Sequence, residues 1–291
     1  MSPTAIALIL AAAVGHASWN LFSKQAAAAG AVSFIWLTAV AGTVLYAPVI
    51  AIAVLVSHPH VSAASWWFLA GSGVLQSGYF LFLQSGYRLG DLSLVYPVGR
   101  GTGALLAALA GIVLLGERPG PVAIAGILAV VAGIAVIGAP ARSSRSKAAP
   151  PARLAIVFAL VTGVFIASYT LWDRYAVAAL HTPPLLQGYA ACPAMALVFA
   201  PQARRTMDRT ALMWREYRGQ VLGAAVLMPL TYILVLIALR FTAVAVVAPA
   251  REVSVLFGVL LGGQLLDEGG TARRLTAAAA IVVGIVAIAV S

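Results

Sequence analysis

Charge is what this sequence has least of. Only 9% of its 291 residues are Asp, Glu, Lys or Arg, while 62% are hydrophobic. A water-soluble domain carries roughly 25% charged residues, so the soluble globular class is excluded and an integral membrane protein remains. Acids are scarcest: 8 Asp and Glu against 18 Lys and Arg. The resulting net charge of +10 does not point to nucleic acid. Most basic residues lie in short segments between apolar runs, where they orient spans in the membrane. Cys192 is the single cysteine, which rules out an intramolecular disulfide. The chain also lacks H-E-x-x-H, G-x-S-x-G and a phosphate-cradling glycine loop ending in Lys-Ser/Thr. Nothing therefore indicates ATP use, and neither enzymatic activity nor a cofactor is expected. His58-Pro59-His60 offers two histidines without a third ligand, and reads as a loop rather than a metal site.

What the chain does have is repetition. Residues 5–21, AIALILAAAVGHASWNL, are echoed at 155–171, AIVFALVTGVFIASYTL, with seven identities at an offset of 150. Arg88, Val95 and Pro97 are echoed by Arg240, Val247 and Pro249, and Val131–Ile137 by Val282–Ile288 as V-x-G-I-x-x-I. Glu117 matches Glu268 after a one-residue shift. The apolar N-terminus lacks a basic flank and its echo is internal, so it reads as a membrane span and not a signal peptide.

A spanning helix needs about 20 apolar residues. Ten candidates appear, at 4–22, 32–56, 66–87, 92–115, 121–139, 153–174, 184–201, 218–239, 243–266 and 274–290. Residues 140–152 are polar, basic and Pro/Ser-rich and form a linker. It divides the chain into a first five-helix repeat, 1–139, and a second, 153–291. Five is odd, so the second repeat enters the membrane inverted, about an axis in the membrane plane. The expected fold is an all-α integral membrane protein with ten transmembrane helices in two inverted five-helix repeats. Thirteen Lys and Arg fall in loops after odd-numbered helices, five of them at 204–218, and three after even-numbered ones: Arg118, Arg174 and Arg240. The positive-inside rule then puts both termini outside.

Charges inside spans are costly and mark function by default. Three are nearly mid-span: Arg100 in the fourth candidate helix, and Arg251 and Glu252 in the ninth. The offset of 152 that aligns Pro97 with Pro249 sets Arg100 against Glu252. Arg100 suits a substrate carboxylate through a bidentate contact, and a desolvated Glu252 suits proton exchange. A structural ion pair between the halves is the alternative. Pro97 and Pro249 each remove a helical hydrogen bond, and are read as hinges or as static kinks.

On the first helix, His16, Asn20 and Lys24 share one face with Trp19 beside them. The matching stretch of the sixth carries Tyr169, Thr170, Trp172, Asp173 and Arg174. His16 is either a proton carrier or substrate contact, or a satisfied interhelical histidine. Lys24, Asp173 and Arg174 lie near helix ends, where snorkelling accounts for them. Gln76, Tyr79, Gln84, Tyr96, Tyr189 and Tyr232 suit a cavity for a small amphipathic molecule. Gly86-x-x-x-Gly90, Gly99-x-x-x-Gly103 and Gly258-x-x-x-Gly262 permit close helix approach.

Several of these stretches together resemble a known family. They are Ala17-Ser18-Trp19-Asn20 with Lys24, Arg88-Leu89-Gly90-Asp91-Leu92-Ser93-Leu94-Val95 leading to Pro97, and Leu115-Gly116-Glu117-Arg118-Pro119, with weaker echoes at Arg240–Pro249 and Leu266-Asp267-Glu268. They resemble the ten-helix EamA-like members of the drug/metabolite transporter superfamily. The resemblance implies secondary transport, often outward, of amino acids or related small metabolites by a basket around a central cavity. The expected partners are a small-molecule substrate and the lipid bilayer, with no nucleic acid. A monomer is implied and a dimer left open, in the bacterial inner (plasma) membrane. Two features depart from the family. Its small relatives use a first-helix Glu for proton coupling, which is missing here. Its ten-helix members have cytoplasmic termini, against the basic-residue count. An uncoupled facilitator, a flippase for lipids or lipid-linked sugars, and a lipid-modifying membrane enzyme are the other readings.

Overall fold

A computed structural model describes residues 1–59, 61–90, 92–138, 151–254, 277, 280–284, 286–287 and 290. Residues 139–150, which include most of the linker, His60, Gly258, Gly262, Asp267, Glu268 and about half of the tenth candidate helix lie outside them. The described chain is helical, with no strand.

A helical run from Pro3 to Ser57 is two helices, α1 (Pro3–Ala26) and α2 (Ala29–Ser57). They are joined by a kink at Gly30, where φ is 153° and ψ 102°. A side chain rarely adopts that backbone, so glycine permits the turn. The loop expected between 22 and 32 is thus helical apart from this kink. Then follow α3 (Ala63–Leu89), α4 (Leu92–Leu114), α5 (Pro121–Gly138), α6 (Pro151–Ala178), α7 (Pro184–Arg205), α8 (Met207–Leu239) and α9 (Val244–Ala250). Local chemistry sets these ends. The Ser2 hydroxyl accepts from Ala5 N and that of Ser62 from Ser65 N, capping α1 and α3. Proline opens α5, α6 and α7, where its missing N–H costs nothing. His58, at φ 41°, stops α2.

Three boundaries differ from the sequence expectation. The basic stretch 204–218 is helical, not a loop: α8 starts at Met207 and breaks only at Tyr217. α6 continues past 174 to Ala178, which moves Asp173 inward. α9 stops at Ala250, so Arg251 and Glu252 lie in a turn beyond it, with helical backbone resuming at 253–254. Pro249 precedes this turn, and the turn is closed by short bonds from Glu252 N to Pro249 O and from Ser254 N to Arg251 O.

Among the described residues, six helices are long and apolar enough to cross a membrane: Pro3–Ala26, Ala29–Ser57, Leu94–Leu114, Arg153–Ala178, Pro184–Arg205 and Met207–Leu239. The 27-residue α3 spans about 40 Å, but carries Ser65, Ser72, Gln76, Ser77 and Gln84 on its buried side. The molecule is built inside out relative to a soluble protein. Large apolar side chains such as Leu55, Trp67, Val113 and Leu197 cover the outside. Among the described residues, Arg100, Asp173, Arg251 and Glu252 are buried within.

Small residues allow the helices to approach. A Cβ at Gly15 in α1 would lie 2.3 Å from Thr231 of α8, and one at Gly78 in α3 would lie 2.4 Å from Phe165 of α6. α4 meets α6 where Gly103 faces Ile166 and Gly163 faces the Gly99 carbonyl, so Gly99-x-x-x-Gly103 is a close-approach face. α2 packs on α7 and α8, with the Trp36 indole donating to Ala196 O and the Tyr46 hydroxyl to Val226 O. Gly284 of the C-terminal helical residues approaches the Gly126 carbonyl of α5.

Candidate functional site

The centre is an ion cluster that joins the two halves of the chain. Arg100, deep in α4, donates from Nε to Glu252 Oε2 at 2.9 Å. Its Nη2 lies 2.8 Å from Glu252 Oε1, and Arg251 Nε lies 3.4 Å from that same oxygen. Arg100, Arg251 and Glu252 are 2%, 1% and 0% exposed, so water does little to screen them. Arg251 Nη2 donates to Thr170 Oγ1 of α6 at 3.3 Å. The Tyr96 hydroxyl donates to Ser254 Oγ at 2.9 Å. Two guanidiniums thus share one carboxylate, and the cluster carries a net charge of +1. Arg251 Nε and Nη1 have no hydrogen-bond partner.

Around the cluster stand four further residues that the sequence singled out. Tyr79, Tyr169 and His16 lie within electrostatic reach of both arginines. Tyr79, Tyr169 and Tyr232 form a chain of edge-to-face rings at 5.6 and 5.5 Å. His16 Nδ1 is 2.9 Å from Ala12 O. A carbonyl only accepts, so Nδ1 carries the proton and Nε2 is left to accept.

The remaining predicted residues go elsewhere. Trp19 packs on Phe80 at 5.5 Å and lines a cavity of about 10 Å³ with Phe34, Ile35, Thr38, Met195, Ala224 and Met228. That is room for about one water molecule. Trp19 Nε1 and Thr38 Oγ1 are buried there without partners. Asn20 Oδ1 accepts from the Tyr87 hydroxyl at 2.7 Å and its amide donates to His16 O. Gln84 is buried with neither amide atom paired. Tyr189 reaches Thr43 O from α7 at 3.3 Å. Trp172 departs from the expectation of an interior position. It is 36% exposed on the outer face, stacked on Phe68 at 4.4 Å and donating to Phe68 O. Its place one residue from Asp173 on α6 rotates it away from the core. Pro97 falls within α4, and Pro249 is buried at the last turn of α9.

Snorkelling does not describe Lys24 or Asp173. Lys24 Nζ donates to Tyr87 O and Gly90 O at 2.9 and 2.8 Å, capping the C-terminus of α3 from α1. Asp173 is fully buried among four helices. Its carboxylate accepts from Ser72 Oγ of α3 at 3.0 Å, from Gln187 Nε2 of α7 at 2.8 Å and from the Tyr232 hydroxyl of α8. Gln76 joins this group by donating to Ser72 Oγ. A polar stripe of Thr162, Tyr169 and Asp173 along α6 was the available signal for it. Glu117 was also missed as a connector. Its carboxylate accepts from Val244 N and Ala245 N at 2.9 and 2.8 Å, holding the start of α9 from the turn after α4. Among the described residues no group of three or more His, Cys, Asp or Glu could hold a metal.

Residues 3–139 match the model of the EamA-like transporter family. A solved structure, described only as the crystal structure of a protein, aligns over 96% of this chain and 98% of its own, with a TM-score of 0.64 and 20% identity. At that identity the likeness is one of fold. No curated protein matches.

Proposed function

We propose that this chain, a multi-pass membrane transporter whose residues 3–139 belong to the EamA-like transporter family, is a secondary transporter that exports amino acids or related small metabolites across the bacterial inner membrane. It works by alternating access between two inverted five-helix repeats, 1–139 and 153–291, in a monomer of ten helices. Reciprocal packing supports that arrangement: α1 lies on α8 through Gly15 and Thr231, as α6 lies on α3 through Phe165 and Gly78. At an offset of 150, α1 corresponds to α6. The discontinuity after Pro249 supports a hinge, because interrupted helices at a repeat interface place backbone and side chains around a substrate.

One observation carries the substrate assignment: a buried cluster of two guanidiniums and one carboxylate, with Arg251 Nε and Nη1 unpartnered. A substrate carboxylate beside Arg100 and Arg251 neutralises the surplus charge and meets donors that fit it. His16, Tyr79, Tyr96 and Tyr169 shape the space around it. Trp19, whose ring lies 6.0 Å from that of His16, adds an aromatic wall, with Asn20, Gln76, Gln84 and Tyr232 as the polar fringe. Trp172, on the outer face, has no part in this site.

The test is counterflow in proteoliposomes without any ion gradient, using a mixture of labelled amino acids. Wild-type protein is expected to exchange at least one of them, and Arg251→Met and Arg100→Met to lose that exchange. Full exchange by both variants rules out the carboxylate assignment.

A further inference from the structure

Among the described residues two carboxylates lie buried, and their surroundings are opposite. Glu252 faces two guanidiniums, at 2.8 and 3.4 Å. Asp173 faces no cation: among the described residues no Lys, Arg or His nitrogen lies within 4.0 Å of it. From α3 it meets Ser72 and, through Ser72, Gln76; from α7, Gln187; from α8, Tyr232. On its own helix Tyr169 packs edge-to-face against Tyr232. Arg174, the next residue, has its Nε buried without a partner. Arg251, from the turn after α9, donates from Nη2 to Thr170, and its Nε lies 3.4 Å from Glu252.

The two sets of donors respond differently to a proton. A guanidinium only donates, so protonating Glu252 would leave buried N–H groups facing an O–H. Hydroxyls both donate and accept. If Asp173 takes up a proton, Ser72 Oγ can turn its own hydrogen to the carbonyl four residues back, as Ser77 and Ser85 do on the same helix, and accept from the new carboxyl O–H. The network is therefore satisfied in both protonation states, and a carboxylate without a cation in a low-dielectric interior gains by becoming neutral. Asp173 also lies where α3 of the first half meets α6, α7 and α8 of the second, so relative movement of the halves alters its surroundings.

We infer that Asp173, and not Glu252, is the proton-binding site of the transport cycle. One proton adds to a carboxylate oxygen of Asp173, forming an O–H bond, and the same proton leaves when the site opens to the opposite side. This builds on the transport reading above, while Glu252 stays ionised as the permanent partner of Arg100.

Infrared difference spectroscopy of the purified full chain during a pH titration tests the site without a substrate. A protonated carboxylic acid has a carbonyl stretch separate from that of a carboxylate. Wild-type protein is expected to show such a band, lost in Asp173→Asn. Tyr232→Phe removes one donor and should shift the band, which keeps the test decisive if Asp173→Asn does not fold. A band indifferent to both variants, or the absence of a protonated acid over the whole pH range in which the chain stays folded, overturns the inference. In proteoliposomes, a pH difference of one unit should drive about a tenfold substrate ratio for one proton per cycle, and a ratio near one in Asp173→Asn. An undiminished ratio in Asp173→Asn overturns the proton site and spares the transport reading. A wild-type chain that exchanges no amino acid sinks the substrate assignment, while the infrared result still decides Asp173.

Discussion

Removing either partner of the Arg100–Glu252 pair breaks the same bond but leaves different charges behind. After Arg100→Met, which keeps a similar stem, Glu252 retains Arg251 Nε at 3.4 Å. The cluster falls from a net +1 to neutral. After Glu252→Gln, two guanidiniums remain at 2% and 1% exposure with no carboxylate between them, a net +2. Two unit charges about 4 Å apart interact by about 4 kcal/mol at an effective dielectric constant of about 20, and that loss is common to both variants. The difference lies in the charge left uncompensated. Orphaning a buried charge costs about 3–5 kcal/mol, so Glu252→Gln is expected in that range and Arg100→Met at least about 1 kcal/mol below it. The assay is reversible unfolding of purified protein in mixed micelles by increasing denaturing detergent, followed by circular dichroism. Equal costs, or a larger one for Arg100→Met, would refute the idea that Arg251 serves as the second partner and that the cluster carries surplus positive charge.

Three further outcomes follow from individual contacts. Glu117→Ala removes both acceptors from the first amides of α9 and should cost about 1–2 kcal/mol, read as a lower melting temperature that Glu117→Gln restores in part. Lys24→Met deletes two charged hydrogen bonds to the last carbonyls of α3, with an expected loss of about 1.5–3 kcal/mol in the same detergent unfolding; an unchanged midpoint contradicts the capping role. Gly163→Val forces a side chain to within 2.6 Å of Thr102 and 2.9 Å of the Gly99 carbonyl. Overpacking of this kind costs about 1–3 kcal/mol, and thermal unfolding monitored by tryptophan fluorescence should show it.

Much of the architecture was legible because lipid is an exacting solvent. Apolar runs of spanning length are a local property that a one-dimensional reading captures. The same economy made Arg100, Arg251 and Glu252 conspicuous, and the alignment of Arg100 with Glu252 anticipated their contact. Asp173 escaped because the apolar run was ended at 174, at Arg174, whereas the helix continues to Ala178. One turn more of helix changes a residue at the rim into one in the core. The arginines at 204–218 misled in the opposite sense: their charge suggested a loop, yet backbone hydrogen bonds in the helical segments on either side of Thr206 persist whatever the side chains carry.

By itself the sequence determined the class of molecule, the approximate spans and the scarce charges that must be compensated, since each follows from the cost of placing polar groups in hydrocarbon. Only the tertiary structure decided who compensates whom. Arg100 and Glu252 are 152 residues apart, Ser72 and Asp173 101, and Glu117 and Val244 127. Helical periodicity orders side chains around one axis and says nothing of the neighbouring axis. The partners are set where glycines such as Gly15, Gly78 and Gly163 let backbones close in. That packing leaves one buried carboxylate between two cations and the other among hydroxyls and an amide, and so separates a permanent charge from one that a proton can neutralise.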